Sequence, residues 1–498
     1  MVEPMTHACT KLVTFRWLVA SALAATSLSG CTSGPNFAPP APPSATAGYG
    51  STGAGHARFA AIGTAAPPVA WWQAFGSPEL NALVERALAQ NESLAASTAT
   101  LEAAQARMAA VAGTRLPQIH ANARIQRQEA NLAAFGFDPA AFGGGVMGNP
   151  LFNLYSVGGG ISYDLDLFGG KARKREGVAA QTEAQAQQTA AARLTIAGRV
   201  VTQVLTIAAI RDRKATAEAL VAEGERNVAL TEARRKAGSG TLVEVLSAQS
   251  QHAVEKGELP ALDQQLAEAR TMLATLIGLS PAELGATDFS LARLILPTQV
   301  PVALPSALVR QRPDILAAEA RLHAATASIG VATANLYPDI TLGGSYAQSS
   351  SQIDSLLATR FRGFDLFAGL SAPIFQGGTL KAQKREAEAQ TRAAAASYRQ
   401  TVLEAFGQVA NLLSAMGNDD RALAAAQDSA RLAERSLDLS RKSFKVGNSG
   451  VLQVLEASRA QHRARLALVD AQGRQFVNVA RLYVATAGGW SDRATKAD

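Results

Sequence analysis

Six histidines could act as bases or metal ligands, but they stand at positions 7, 56, 120, 252, 323 and 462, without an HExxH or other paired-ligand spacing. Each reads as a solvated polar residue. Two stretches, "GYGSTG" at 48–53 and "GGGVMG" at 143–148, satisfy GxGxxG. Neither follows a buried strand or opens a helix, as a dinucleotide cradle must. The sequence holds no P-loop, no nucleophile elbow and only 2 cysteines, Cys9 and Cys31. Catalysis therefore has nothing to stand on, and the chain reads as a non-enzyme with no metal and no soluble cofactor.

The chemistry that remains belongs to Cys31. Residues 1–30 carry basic Lys11 and Arg16, an apolar segment from Trp17 to Leu28, and then small residues, the pattern of a secretory signal too short for a membrane span. Leu28-Ser29-Gly30-Cys31 resembles a bacterial lipobox, in which the new N-terminal cysteine is acylated; an ordinary signal with a chance cysteine is the alternative. Cys9 would leave with the signal, so no disulfide or Cys-ligated metal is expected. Several acyl chains would hold the protein on a bilayer stably. Thr32, rather than Asp, follows the cysteine, which by resemblance to bacterial lipoproteins favours the outer membrane. Loss of residues 1–30 lowers the formal charge from +7 to +6, spread along helices and without aromatic interleaving, so nucleic acid is not an expected partner.

The positioning elements come from a repeat. Residues 87–119 align with 308–340 at one offset, with Pro117 on Pro338, and "KAGSGTLVEVL" at 236–246 is written again as "KVGNSGVLQVL" at 445–455. Residues 31–70, rich in Pro, Ala, Gly, Ser and Thr, read as an acylated extended linker. Two repeats follow, 71–290 and 291–490, then a tail at 491–498. Strands are expected near 117–126, 157–168, 338–347 and 364–375, because apolar and polar residues alternate there. In the second, Val157, Ile161, Tyr163, Leu165 and Leu167 share one face and Ser162, Asp164 and Asp166 the other; the stretch between the first two strands reads as a long loop. Each strand has about the ten residues that a tilted strand needs to cross a bilayer, with the alternation of a barrel wall. A soluble amphipathic sheet would alternate equally well. Export with a lipid favours the membrane, as does the lack of a stretch after Cys31 apolar enough for a spanning helix. Four strands cannot close a barrel, which takes roughly eight, and lipid tolerates no open edge. Several copies must share one barrel, and three would give twelve strands.

Long helices are expected at 171–237 and 380–446, each on the order of 100 Å at 1.5 Å per residue. Rich in Ala, Gln, Glu and Arg with a thin apolar stripe, they suit a hollow helical wall; a plain two-stranded coiled coil is the alternative. Return helices are expected at 243–277 and 452–487. Gly238 and Gly447 then end the long helices at tips 238–242 and 447–451.

The stretches "LSGCTSGPNF", "WWQAFGSPELNALVERALAQN", "SYDLDLFGGKAR", "RPDILAAEARLHAATASIGVATANLYPDI", both tips and "ARLYVATAGGW" span nearly the whole mature chain. Together they resemble the TolC-like outer membrane efflux proteins, closest to the OprM and NodT-type lipoproteins. The resemblance implies a mainly α fold with a transmembrane β part. It implies a homotrimer with a twelve-stranded barrel, a periplasmic twelve-helix barrel and an equatorial belt. Its partners would be a periplasmic adaptor and an inner-membrane RND-type transporter. Carried over by motif, Leu452 falls at an apolar periplasmic constriction, Glu456 at its acidic position and Arg459 at its basic one. Positions i, i+4 and i+7 do share a helix face. The family usually has Asp where Glu456 stands, and an ordinary exposed Glu–Arg pair is the alternative. Gly238, Thr241, Leu242, Gly447, Val451 and Leu452 are expected to meet the adaptor, the alternative being simple helix caps. The implied function is a passive exit duct for small toxic compounds. A duct for secreted protein and a pore-less lipid-anchored scaffold stand as rivals.

Overall fold

The computed structural model describes residues 32–41, 60–63, 67–129, 151–285, 289–297, 299–303 and 305–486. The signal, Cys31, most of the linker, residues 130–150 and the tail lie outside the described residues. In chain order the elements are β1 (Ala60–Gly63), a 3-10 turn (Trp71–Phe75), α1 (Pro78–Gln90), α2 (Glu92–Gly113), β2 (Gln118–Glu129), β3 (Leu151–Asp164), α3 (Gly170–Lys236) and α4 (Leu242–Leu276). The second half runs β4 (Val300–Ala303), α5 (Pro305–Leu308), α6 (Pro313–Ala334), β5 (Asp339–Ser350), β6 (Arg362–Ser371), α7 (Thr379–Lys445) and α8 (Val451–Thr486). The chain divides into two compact units that cut across the repeat. One comprises residues 1–39, 104–182 and 321–395; the other comprises 40–103, 183–320 and 396–498.

The first unit is built on a four-stranded antiparallel sheet in the order β2-β3-β5-β6. Its register settles what alternation leaves open. Ile119 pairs with Ile161, Ile161 with Gly344 and Gly344 with Leu366, while Ile125 pairs with Tyr155 and Tyr346 with Phe364. Directly paired residues point to the same side of a sheet, so all four apolar rows lie on one face. His120, Asn122, Asp164, Thr341, Ser345 and Asp365 lie on the other. Ile119, Ile125, Phe364, Leu366 and Leu370 are between 70 and 81 % exposed, so nothing among the described residues covers the apolar face there. The outer edges of β2 and β6 are likewise unpaired among the described residues.

The first and third strands, Gln118–Glu129 and Asp339–Ser350, run a few residues past their expected ends, and the other two differ more. The second strand begins at Leu151, inside the expected loop, and stops at Asp164 rather than 168. It stops because Asp166 adopts φ 49° and turns back, its carboxylate accepting the Lys171 and Ala172 amides at 2.8 Å and capping α3. The fourth strand ends at Ser371 rather than 375, two residues before Pro373, which has no amide to donate to a ladder.

The linker is also more than a tether. Ser33 donates its amide to the Phe168 carbonyl at 3.0 Å, and Arg173, 4 % exposed, donates to the Ser33 carbonyl at 3.1 Å and to Asn36 Oδ1 at 2.6 Å. Phe37 stacks on His323 at 4.4 Å, and His323 Nε2 stands 2.9 Å from Glu176 Oε1. Burial alone would raise the Glu176 carboxyl, but the bonds from His323 and Arg173 outweigh it and hold the group below its ordinary range. Further along the linker, β1 pairs in parallel with β4 from Ala60–Val300 to Gly63–Ala303. Both contacts join residues far apart in sequence, which composition does not encode.

The second unit holds the main core. Gly76 ends the 3-10 turn, and Ser77 caps α1 through the Leu80 amide at 3.2 Å, with Pro78 in the first turn. This places Trp71 and Phe75 inward, where Trp71 stacks on Tyr483 of α8 at 5.4 Å. Val200, Val204 and Ile207 of α3, Leu273 of α4 and Leu482 of α8 complete a cluster that is fully buried. Burial pushes the Tyr483 hydroxyl up. Full burial of each aliphatic side chain contributes about 1.5–3 kcal/mol before the cost of ordering it. No stretch after Cys31 was expected to be apolar enough to span a membrane as a helix, yet one window of α3 is long and apolar enough by length and composition. That window is 56 % buried within the chain, so its hydrophobicity serves the core.

Candidate functional site

Both tips are made by the same local physics. The long helices α3 and α7 have 67 residues each and end in glycines with φ 72° at Gly238 and φ 77° at Gly447. The Gly238 amide returns to Arg235 at 3.0 Å and the Ser239 amide to Arg234 at 2.9 Å; Gly447 returns to Phe444 at 3.1 Å and Asn448 to Ser443 at 3.0 Å. This paired return is a Schellman turn, which closes the last helical carbonyls and needs a left-handed residue at its C′ position. A Cβ at either glycine would meet no atom within 4 Å, so conformation rather than space calls for glycine. The Arg234 guanidinium lies 4.4 Å above the Phe444 ring, which ties the end of α3 to that of α7.

The return helices start differently. Thr241 accepts the Glu244 amide at 3.2 Å while Glu244 accepts the Thr241 amide at 2.9 Å, a complete capping box ahead of Leu242. At the second tip the Gly450 carbonyl accepts from Gln453 at 3.2 Å, and the Ser449 hydroxyl is buried without a partner. Of the residues expected to meet a partner, Thr241, Leu242 and Leu452 are exposed, as are both glycines. Val451 is not: it is 3 % exposed and joins Val454 and Leu455 in the packed face of α8, so it presents no surface. The turns before the two return helices have the same hand, so whether the first helical residue lies inward depends on what the helix packs against, which the sequence does not state.

The three expected constriction residues share one side of α8. Leu452 is 47 % exposed and Glu456 is exposed. Arg459 Nη1 donates to Glu456 Oε1 at 2.7 Å, and Arg459 Nε donates to Gln251 Oε1 on α4. The acidic and basic positions are therefore joined in one chain and tied to the other return helix. Lys214 of α3 meets Asp263 of α4, and that bond raises the Lys214 ammonium above its ordinary value. Arg213 of α3 holds Asp470 of α8 at 2.8 Å.

Residues the sequence reading passed over lie next to this group. His462, expected to be solvated, is instead 5 % exposed and stands 2.6 Å from Glu255, itself 8 % exposed. A signal was present: Ala248, Glu255, Leu262 and Ala269 follow a seven-residue spacing that is otherwise apolar, as do Leu455, His462, Val469, Phe476 and Tyr483 on α8. A charged residue in an apolar heptad row marks a buried polar contact. Among the described residues no group of three or more His, Cys, Asp and Glu side chains is placed to hold a metal ion.

A four-stranded sheet whose apolar rows share one face, with edges unpaired among the described residues, and two long helical hairpins define the class: a TolC-like outer-membrane channel. The "Outer membrane efflux protein" family model matches residues 83–279 and 304–488, and the chain belongs to that family. It is 33 % identical over 424 residues to the pyoverdine export outer membrane protein OpmQ of Pseudomonas aeruginosa, covering 85 % of this chain and 88 % of that one. It is 26 % identical to the probable outer membrane lipoprotein SilC of Salmonella typhimurium, covering 84 % and 88 % of the two chains. The solved structure of the outer-membrane channel OprN superimposes with a TM-score of 0.81 at 28 % identity, covering 93 % of this chain and all of that one. The protein is thus an efflux channel of the outer membrane, a transport protein and not an enzyme.

Proposed function

We propose that three copies form the exit duct of a tripartite pump, passing small toxic compounds received through a periplasmic adaptor from an inner-membrane RND-type transporter. The single-faced apolar sheet, whose two edges are unpaired among the described residues, carries this reading, because such a sheet is stable in lipid only when copies join edge to edge into a closed barrel. Acyl chains on Cys31 anchor each copy, in keeping with a relative described as a probable lipoprotein. In order along the chain, residues 1–30 are the signal, 31–70 the acylated arm, 71–290 and 291–490 the two repeats and 491–498 the tail.

At the gate, Leu452 from three copies forms an apolar ring that resists wetting and Glu456 an acidic ring that favours cations, with Arg459 holding Glu456 in place. At the tips, Gly238, Thr241, Leu242, Gly447 and Leu452 meet the adaptor's helical hairpin, while Val451 supports them from within. Energy comes from the inner-membrane partner, since a passive tube has no means to couple it.

The deciding experiment is photo-crosslinking in cells from a probe at Asn448, with the captured protein identified by mass spectrometry. Capture of a periplasmic adaptor supports the docking tips. No capture from a correctly sorted trimer removes them. For the gate, Leu452→Ala with Glu456→Ala raises conductance in a planar bilayer; unchanged conductance removes that assignment.

A further inference from the structure

The first repeat carries basic residues that the second does not match, and they stand where the N-terminal arm begins. Lys171 and Arg175 share a face of α3 at a spacing of four, and Arg115 follows the end of α2. With the equal-length helices α3 and α7 aligned from their first residues, and Pro117 on Pro338, the second half has Leu380 for Lys171 and Leu336 for Arg115. Arg175 falls on Lys384, which has Glu388 one turn on at 4.0 Å, whereas the residue one turn on from Arg175 is Ala179. The fold that both halves share does not need these charges. Arg115 and Arg175 are exposed, and neither side chain makes an ion pair or hydrogen bond among the described residues.

Arg115, Lys171 and Arg175 line one cleft of about 400 Å³, at the end of the sheet from which α3 leaves. Thr32 lines it too, its Cα 3.1 Å from where a Cβ on Gly169 would stand, so Cys31 is one peptide bond away. Tyr163 and Leu165, at the foot of the apolar row of β3, and Leu116, 65 % exposed, give the cleft an apolar side. Two carboxylates also line it, and both are compensated. Asp164 is bonded by Lys171 and by the Thr341 hydroxyl at 2.9 Å, and Asp166 accepts the Lys171 and Ala172 amides at 2.8 Å. The start of α3 is thereby closed, and the groups left without a counter-charge are the two guanidiniums.

We infer that this cleft holds the phosphate of an anionic glycerophospholipid of the periplasmic leaflet, gripped by Arg115 and Arg175 beside the chain's own anchor. The inference rests on the reading of Cys31 as the acylated residue. The sheet belongs to an outer-membrane channel whose long helices extend into the periplasm, so the end from which α3 leaves lies at the headgroups of the periplasmic leaflet. Basic side chains at that level attract anionic lipid. The planar guanidinium matches two phosphate oxygens at once, and the contact strengthens where lipid excludes water on one side. Leu116 and Tyr163 then meet the glycerol and the first carbons of the acyl chains. A hydrocarbon chain alone does not suit a cleft lined by three cations and two carboxylates, which sets aside the acyl groups of Cys31 as its occupant. Phosphatidylglycerol fits better than phosphatidylethanolamine, whose ammonium would face the same guanidiniums. The bound lipid braces the arm at Thr32 against the end of α2.

The test is native mass spectrometry of the full-length protein, expressed with its signal and purified in detergent, titrated with phosphatidylglycerol. The wild type is expected to take up one molecule per copy. Arg115→Gln and Arg175→Gln each weaken uptake about tenfold, as the loss of one charge-assisted contact should, and the double variant abolishes it. Arg362→Gln, a cation at the opposite end of the sheet, leaves uptake unchanged. The same spectra report assembly, and where one variant fails to assemble the other reads the same cleft. Uptake that survives in the double variant, or is missing from the wild type, overturns the site. Displacement of the lipid by inorganic phosphate at equal concentration makes it a site for free phosphate and overturns the lipid. Preference for lipid A over phosphatidylglycerol overturns the assignment to the periplasmic leaflet. The mass of the mature chain tests the other reading separately: a chain without acyl groups on Cys31 removes the anchor, while the lipid count still decides the cleft.

Discussion

The two hairpin tips are one turn written twice, and they differ only after the glycine. Each long helix closes with the same Schellman return through Gly238 or Gly447. The first return helix then supplies its own cap, with Thr241 and Glu244 satisfying each other's amides. The second begins on Val451, buried, and on a serine whose hydroxyl is unpartnered. The first tip is thus fixed by residues within a few positions of one another. The second, which carries the proposed gate, depends on what α8 packs against. A helix start held by tertiary contacts can respond to changes elsewhere in the unit, whereas a capping box cannot.

This contrast breaks most sharply at Val451. Val451→Ala should cost about 2 kcal/mol, from lost burial plus the cavity left behind, whereas Leu242→Ala at the equivalent start of α4, 51 % exposed, should change stability by less than about 0.5 kcal/mol. Thermal unfolding of the detergent-solubilised trimer measures both; equal effects would erase the difference between the tips. Gly238→Ala and Gly447→Ala test what the tips share. Each should cost about 1–2 kcal/mol for the left-handed conformation, and by the same amount, since a Cβ meets open space at both.

Capping gives a smaller contrast. Thr241→Ala should cost about 1 kcal/mol by opening the capping box, while Ser449→Ala should be neutral or slightly stabilising, because it removes a buried hydroxyl that bonds nothing. Outside the tips, the smallest expected effect is pH-dependent and belongs to the docked N-terminal arm. Glu176 is held below its ordinary range, so its contribution is present above the unfolded carboxyl range, near 4.5, and fades as pH falls through and below it. Limited proteolysis should release residues 32–41 more readily at pH 4 than at pH 7, and Glu176→Gln should remove that difference.

Much of the architecture was legible because it is periodic or local. The two-residue alternation near Ile119, Ile161, Leu342 and Leu366 marks strands, the 67-residue runs of helix formers mark long helices, and Gly238 and Gly447 mark their ends. The constriction residues were legible only through family resemblance, since Leu452, Glu456 and Arg459 alone could be any exposed helix face. His462 was misread because a single histidine carries no sign of its depth, although the apolar heptad row on which it sits does.

The sequence by itself therefore determined the strands, the long hairpins, the twofold repeat and the turns, since each follows from backbone sterics and from the spacing of apolar residues along a few turns of chain. Only the tertiary structure decided that all four apolar rows fall on one face, that the linker docks through Arg173 and pairs β1 with β4, that Val451 is buried, and that Glu255 meets His462. Those outcomes depend on register and on contacts between residues distant in the chain. No local periodicity specifies such contacts; they are selected by the burial and charge compensation available once the helices and strands are brought together.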